Sequence, residues 1–267
     1  MTNKNEKSKT VLITGVTSGI GRQLTYLFAK DGYDLILVAR NKEKLDSLEK
    51  EIQKKYVVST TGIIVDLTSN DACQQIAIEV KHLDKPIDIL VNNAGFNVYG
   101  PLYKTEILDQ QKLIQVNLIT PTLLTRIFLP DMLKRGIGKI LFIGSTGSFM
   151  PVAYNTVYGA TKAYILSFAE ALTQEVNGTG VSVTCLCPGA TQTEFASKAN
   201  MTRTRLFQTG VMDAKFVSRT GYNALMAGKP LVIAGLFNKI QVQAMKLTPR
   251  CIAAPLTRYI MSEHDGQ

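Results

Sequence analysis

Histidine and cysteine are scarce in this 267-residue chain, and charge is sparse. The two histidines, His82 and His264, stand apart from other metal-ligand side chains, so no metal centre is expected. The four cysteines, Cys73, Cys185, Cys187 and Cys251, follow neither disulfide nor zinc spacing. Cys185 and Cys187 fall two apart in an apolar run, where small buried thiols are the ordinary explanation. No apolar run approaches the ~18 residues a membrane-spanning helix needs. The polar opening, Met1 to Lys9, lacks the apolar stretch of a signal peptide. Only 19% of residues are charged against 45% hydrophobic, and low-complexity tracts are missing, so disorder is expected only at the ends, as in the polar tail 1–9. These absences predict a reduced, cytoplasmic, metal-free protein with a sizeable core.

What is present, first, is charge of one sign at one end. The net charge is +9, of which residues 1–9 carry +2, residues 10–199 carry +1 and residues 200–267 carry +6. A pI near 9.3 suggests nucleic acid, yet aromatic interleaving and a recognisable binding module are both missing, so nucleic acid is set aside. A basic surface for anionic lipid or for a charged substrate tail fits better. Within the basic extension 236–267, Asn238 to Ser262 alternates apolar residues with Lys239, Lys246, Arg250 and Arg258. It reads as an amphipathic element at a membrane surface, or as tail helices packed on a partner subunit.

The body alternates apolar β-branched runs with helical periods. Thr10 to Thr14 is a short strand that runs into Gly15-Val16-Thr17-Ser18-Gly19-Ile20-Gly21 and then a helical segment from Arg22 to Lys30. Strand, glycine turn and helix N-terminus together make an anion cradle, with free amides and the positive dipole end facing a pyrophosphate. Gly15 permits the tight turn, Gly19 lets backbone approach phosphate, and Gly21 lets helix pack on strand. A second strand, Tyr33 to Ala39, completes a βαβ unit and ends at Arg40. An acid there would hold a ribose 2′-hydroxyl, whereas a guanidinium grips a 2′-phosphate, so NADP(H) is expected over NAD(H). Arg40 read alone is equally a solvated strand-end charge.

Further strands are expected at Gly62 to Val65, Ile87 to Val91, Lys139 to Ile143, Val181 to Cys187 and Pro230 to Gly235. The third ends at Asp66, which either accepts from an adenine amino group or caps a helix beginning near Ser69. The fourth closes with Asn92-Asn93-Ala94-Gly95, small residues and amides that suit close passage of a ribose, or a plain turn. Helical periodicity from Ile107 to Lys134 is interrupted by Pro121, which deprives the Asn117 carbonyl of its helical partner. An ordered water on Asn117, close to the lysine described next, is therefore expected to feed a proton relay. After the sixth strand, Pro188-Gly189-Ala190-Thr191-Gln192-Thr193 offers amides and hydroxyls for a carboxamide. Residues 190–212, with Phe195, Met201, Phe207 and Met212, read as a substrate lid. Asp213 is the expected cap of a helix reaching Ala227.

The chemistry concentrates between Lys139 and Lys162. Tyr158 and Lys162 are four apart, so on a helix they share one face. The ammonium is expected to lower the tyrosine pKa, as an acid working near neutral pH requires. Ser145, on the loop closing the fifth strand, can reach the same substrate oxygen.

Taken in order, Thr14-Gly15-x-x-x-Gly19-x-Gly21, Asn92-Asn93-Ala94-Gly95, Asn117, Ser145, Tyr158-x-x-x-Lys162 and Pro188-Gly189 resemble the short-chain dehydrogenase/reductase family over about residues 10 to 235. The resemblance implies a single Rossmann-type α/β domain, a doubly wound parallel sheet of seven strands in the order 3-2-1-4-5-6-7. It implies an NADP(H)-dependent oxidoreductase acting on a carbonyl or alcohol, with Tyr158 as acid/base, Ser145 orienting the carbonyl, Lys162 tuning the tyrosine and holding the nicotinamide ribose, and Asn117 holding the relay water. Gly15, Thr17, Ser18, Gly19, Ile20 and Gly21 would line the pyrophosphate, Asp66, Asn93 and Thr193 would contact adenine, ribose and carboxamide, and Pro188 would border the nicotinamide. A homodimer or homotetramer is implied as well. The basic tail resembles that of bacterial reductases without assigned substrate. Gly144, where serine is common in the family, is expected to loosen the loop before Ser145. Phe149, Met150, Val152 and Tyr154, with the lid aromatics, suggest a mostly apolar ketone, aldehyde or acyl substrate. The rival readings are a non-catalytic cofactor-sensing protein on the same fold and a membrane-surface protein working through its basic tail.

Overall fold

Strands buried on both faces need near-continuous apolar runs, and the runs in this chain become a parallel sheet. The computed structural model describes residues 8–208 and 210–262. Its strands β1 (Thr10–Thr14), β2 (Asp34–Ala39), β3 (Thr60–Ile64), β4 (Ile89–Asn92), β5 (Gly138–Ile143), β6 (Val181–Cys187) and β9 (Leu231–Ile233) line up as β3-β2-β1-β4-β5-β6-β9. Every neighbouring pair is parallel. This is the expected order, with β9 as the seventh strand of the sheet. Two short strands, β7 (Thr191–Gln192) and β8 (Met212–Asp213), pair outside it and join the two ends of the lid.

Side chains alternate across the sheet, as the two-residue period of a strand dictates. Val11 and Ile13 face the side covered by α1 (Gly19–Lys30), α2 (Lys42–Lys55) and α9 (Ala214–Met226), where Leu24, Phe28, Leu48, Val217 and Leu225 pack. Leu12 faces the opposite side, covered by α3 (Ala72–His82), α5 (Thr120–Arg135) and α6 (Thr156–Glu175) through residues such as Ile76, Leu124, Phe128, Ile165 and Leu172. The chain is therefore one doubly wound α/β domain.

Several expectations need adjustment. The helix expected near Ser69 begins at Ala72, because Asp66 turns its carboxylate onto the Thr68 amide at 3.0 Å and closes a local turn first. The run from Ile107 is α4 (Ile107–Ile114), a π turn over Gln115–Ile119, then α5. The π turn carries the Thr120 amide to the Gln115 carbonyl, one residue further back than in an α-helix, and Pro121 enters α5 without stopping the run. Contrary to the reading that no segment is long and apolar enough to span a bilayer, Ile107–Arg135 passes by length and composition. Half of its most apolar part is buried inside the protein, as befits a core helix. The lid holds two short helices, α7 (Glu194–Lys198) and α8 (Arg205–Gln208), and the chain continues as α10 (Leu236–Leu247) and α11 (Arg250–Met261). Most of the polar tail 1–9 lies outside the described residues; Ser8 donates to the Asp34 carboxylate.

Candidate active site

The carboxyl ends of β1, β4, β5 and β6 meet around the point where the strand order reverses, the crevice in which open α/β sheets bind ligands. At β1, Gly15 takes φ +72° and its amide donates to the Val38 carbonyl, turning the chain off the strand. A Cβ on Gly21 would stand 2.3 Å from the Gly15 carbonyl oxygen, so only glycine lets the helix start this close. Ser18 precedes α1 in extended backbone without a side-chain cap, and the first turn holds no acid. The N-terminal amides of α1 thus keep their affinity for an anion. Thr17 faces a cavity of about 280 Å³ shared with Arg22, Lys44 and Glu194, and Ile20 accepts from the Ser218 hydroxyl beneath the turn.

Two loops lock onto this turn. The Asn93 amide group donates to the Thr14 and Gly15 carbonyls at 2.8 and 2.9 Å, while Thr14 Oγ1 accepts from the Asn93 and Ala94 amides. Of the Asn93 side chain, Oδ1 is left without a partner among the described residues. From β6, Thr193 reaches over until a Cβ on Gly19 would meet its methyl at 2.8 Å, and the same Thr193 caps α7 by accepting from Phe195. Arg40, exposed at the end of β2, has no ion-pair partner among the described residues. Asp66 is exposed one strand over.

At the other half of the crevice, Ser145 leaves β5 in a capping box. Its hydroxyl accepts from the Gly147 amide at 3.0 Å and its own amide donates to Ser148 Oγ. The Ser145 hydroxyl keeps its proton and a second lone pair for other partners, the Tyr158 phenol among them. Pro188, at the end of β6, accepts from the Thr146 amide at 2.8 Å and ties the two strand ends together. Tyr158 and Lys162 project from the first turns of α6, with the Lys162 ammonium 5.7 Å from the phenol ring centroid.

The direction of the tyrosine shift is the reverse of the expected one. Burial pushes the Tyr158 phenol up to about 12, with the Ser145 hydroxyl pulling weakly the other way. Phe195 of the lid lies 5.6 Å from its ring, centroid to centroid. Lys162 does not offset this, because its ammonium donates to the Ile143 carbonyl at 2.7 Å and burial lowers its own pKa to about 8. The Asn117 side chain clamps Phe96, accepting from the amide at 3.0 Å and donating to the carbonyl at 2.9 Å, while the backbone carbonyl expected to hold the relay water lies inside the π turn. Gly95 lies between these groups, its Cβ direction 3.1 Å from Asn117 Oδ1 and 3.7 Å from Lys162 Nζ.

Gly144 is packed rather than loose. A Cβ there would stand 2.8 Å from Cys187 Sγ and 3.1 Å from Cys185 Sγ, so the two buried thiols fill the space a serine would take. Sequence reasoning also missed Asn97, Asn155 and Asn238. Asn97 donates to Asn155 Oδ1 at 2.7 Å, its own Oδ1 being buried without a partner among the described residues, and Asn238 on α10 sits directly under Gly189. These partners lie tens of residues apart, and no local spacing marks them. Beyond the tyrosine, Tyr99, Val152, Tyr154 and Phe207 pack around Met201 of the lid and Met261 of α11 into a second apolar cluster.

Residues 9–204 match a family described as short chain dehydrogenase. The chain is 36% identical over 189 residues to the very-long-chain 3-oxoacyl-CoA reductase of Bos taurus, covering 69% of this chain and 60% of the relative. It is 31% identical over 194 residues to the ketoacyl reductase HetN of Nostoc, covering 73% and 66%. The chain thus spans about 60% of the length of the first of these relatives. A solved short-chain dehydrogenase from Sphingobium yanoikuyae, in complex with NADPH, superposes with a TM-score of 0.80 at 29% identity, over 92% of this chain and 98% of that one.

Proposed function

The chain belongs to the short-chain dehydrogenase family, and from that premise we propose that it is an NADP(H)-dependent reductase of ketones, aldehydes or acyl-type carbonyls. The observation that carries this reading is the meeting of Ser145, Tyr158 and Lys162 at the same crevice as the glycine turn. The residues present fit a dinucleotide: the uncapped α1 amides and the Gly19 position, which a Cβ would close against Thr193, accommodate a pyrophosphate. Gly15, Thr17, Ser18, Gly19, Ile20 and Gly21 would hold it, Arg40 the 2′-phosphate, Asp66 the adenine and Asn93 Oδ1 a ribose. Lys162 would hold the second ribose, and Pro188 and Thr193 the carboxamide. When bound, the nicotinamide supplies the hydride.

The chain's own groups supply the proton. The Ser145 hydroxyl, its lone pair held by Gly147, donates to the substrate carbonyl oxygen and draws electron density toward it. Tyr158, protonated because burial holds its pKa high, donates the proton to the same oxygen as negative charge develops there. A phenol this reluctant to ionise suits reduction better than alcohol oxidation, which needs the phenolate. Lys162, with a pKa of about 8, stands next in line to return the proton, drawing on water at the Asn117 carbonyl.

The apolar cluster of Tyr99, Val152, Tyr154, Met201 and Met261 favours a substrate with a long apolar portion. The acyl relatives support the same choice. Asn97 Oδ1, the buried acceptor beside Met201, would take a hydrogen bond from such a substrate. Exposed Ile107, Leu108, Leu123, Ile127 and Leu133 on α4 and α5 support a homo-oligomer joined through these helices. The enzyme works in the cytoplasm at a lipid boundary, where apolar acyl substrates collect and the basic tail finds anionic headgroups.

The test is turnover of NADPH with a panel of ketones, aldehydes and 3-oxoacyl thioesters. Tyr158→Phe is expected to lower kcat by about 10²- to 10⁴-fold while leaving NADPH affinity within about twofold. Collapse of cofactor binding in that variant, or no turnover of any panel member by the parent protein, overturns the reading.

A further inference from the structure

Between Asp213 and Glu263 the chain carries seven lysines and arginines and no acidic residue. In the same segment α10 leaves Leu236, Phe237, Ile240 and Leu247 between 61% and 86% exposed. At 100° per residue these four fall within about one quarter of the helix circumference, while Val242 and Met245 on the opposite side are buried. Lys239 and Lys246, seven residues apart, run along one margin of the exposed stripe. α11 repeats the pattern: Ile252, Leu256 and Tyr259 form an outward stripe at i, i+4, i+7, and Ala253, Thr257 and Met261 are buried beneath it.

We propose that α10 and α11 are a docking surface for an anionic lipid bilayer, their apolar stripes entering the headgroup boundary with Lys239 beside them and the net positive charge of the segment drawing them to it. Charge selects this occupant. A second copy of the chain meeting the same surface about a twofold axis would bring like cations together with no carboxylate in the segment to answer them. Nucleic acid would answer the cations but has no use for exposed leucine, isoleucine and phenylalanine. A bilayer surface answers both. The inner face of α11 gives docking a consequence: the Tyr99 hydroxyl donates to the Met261 carbonyl at 2.6 Å, and Met261 packs with Met201, Tyr154 and Phe207. The helix that would touch lipid is therefore also a wall of the apolar cluster assigned to the substrate.

This inference rests on the placement at a lipid boundary proposed above, but it is read without turnover. The purified full chain is floated with vesicles of phosphatidylcholine alone or of equal parts phosphatidylcholine and phosphatidylglycerol. Recovery with the anionic vesicles should exceed that with neutral ones by about tenfold or more and fall as salt is added. Leu236→Ser/Phe237→Ser, at exposed positions that leave the core untouched, should lose most of this recovery while keeping NADPH affinity; Lys239→Glu should lower it about fivefold or more. No flotation with either vesicle, equal flotation with both, or unchanged flotation of the serine variant each overturns the proposal. So does sedimentation in which the serine variant turns an oligomer into a monomer, because a second copy then covers the surface. Flotation without any reductase turnover upholds docking and refutes only the enzymatic reading.

Discussion

Tyr158 has to keep its proton until a carbonyl oxygen is in place and then part with it. Burial secures the first requirement, and the second falls to groups that strengthen as charge develops on substrate. Lys162 carries the electrical burden of the arrangement. Its folded pKa, about 8, lies below its ordinary value of 10.5, so the buried ammonium opposes folding in full below pH 8. Between pH 8 and 10.5 the folded state sheds its proton first and stability rises; above 10.5 the penalty is gone. Lys162→Met, which keeps the stem and deletes the charge, should therefore be more stable than the parent at pH 7 by up to about 3 kcal/mol, the margin shrinking as pH approaches 10.5. Urea titrations across that range measure it, and a variant uniformly less stable refutes the buried-cation argument. The same discharge should make carbonyl reduction by the parent fall as pH rises through about 8. Arg40 makes a simpler claim. Exposed and unpaired among the described residues, it should contribute a charge-assisted contact to a 2′-phosphate. Arg40→Asp is expected to weaken NADPH relative to NADH by about 10- to 100-fold, read as the ratio of kcat/KM; an unchanged ratio makes Arg40 a solvated strand-end charge.

The elements show why some of this was readable from one sequence. The strands were legible because a sheet buried on both faces demands uninterrupted apolar runs, and β1, β2, β5 and β6 supply them. The Tyr158–Lys162 pair was legible because helix geometry alone brings i and i+4 together. Pro121 announced an irregularity, and the π turn is its outcome. What stayed hidden depends on partners far along the chain. The amide of Asn93 grips Thr14 and Gly15, that of Asn117 grips Phe96, and the tyrosine ring meets that of a lid residue 37 positions later. Gly144 belongs to the same class, since its reason is a pair of thiols on the neighbouring strand. Gly144→Ser should destabilise the protein by about 1–3 kcal/mol through overpacking against Cys187. Adding Cys187→Ala should recover a good part of that loss in a double-mutant cycle. Strict additivity of the two changes would mean that the thiols do not set the identity of residue 144.

For the whole molecule, two exposed apolar regions have to be reconciled with a protein that carries +9. They differ in electrical setting, and so in what can cover them. α10 and α11 lie in the acid-free basic segment, which repels a second copy. Along α4 and α5, acid and base are interspersed: Asp109 pairs with Lys112 at 3.8 Å, and Asp131 with Arg135 at 2.8 Å. Two such helices can meet their symmetry mates with charges of opposite sign in reach and with Leu123 and Ile127 at the contact. Both residues belong to α5 but to its outward face, so replacing them disturbs neither the sheet nor the π turn. Leu123→Glu/Ile127→Glu should therefore convert an oligomer to monomer in sedimentation velocity, with little change in thermal stability measured at low concentration. The monomer should still float with anionic vesicles, because the lipid-facing stripes lie on other helices. Loss of flotation together with the oligomer would make the two surfaces one interface, whereas an oligomer that survives both glutamates would move the subunit contact off α5.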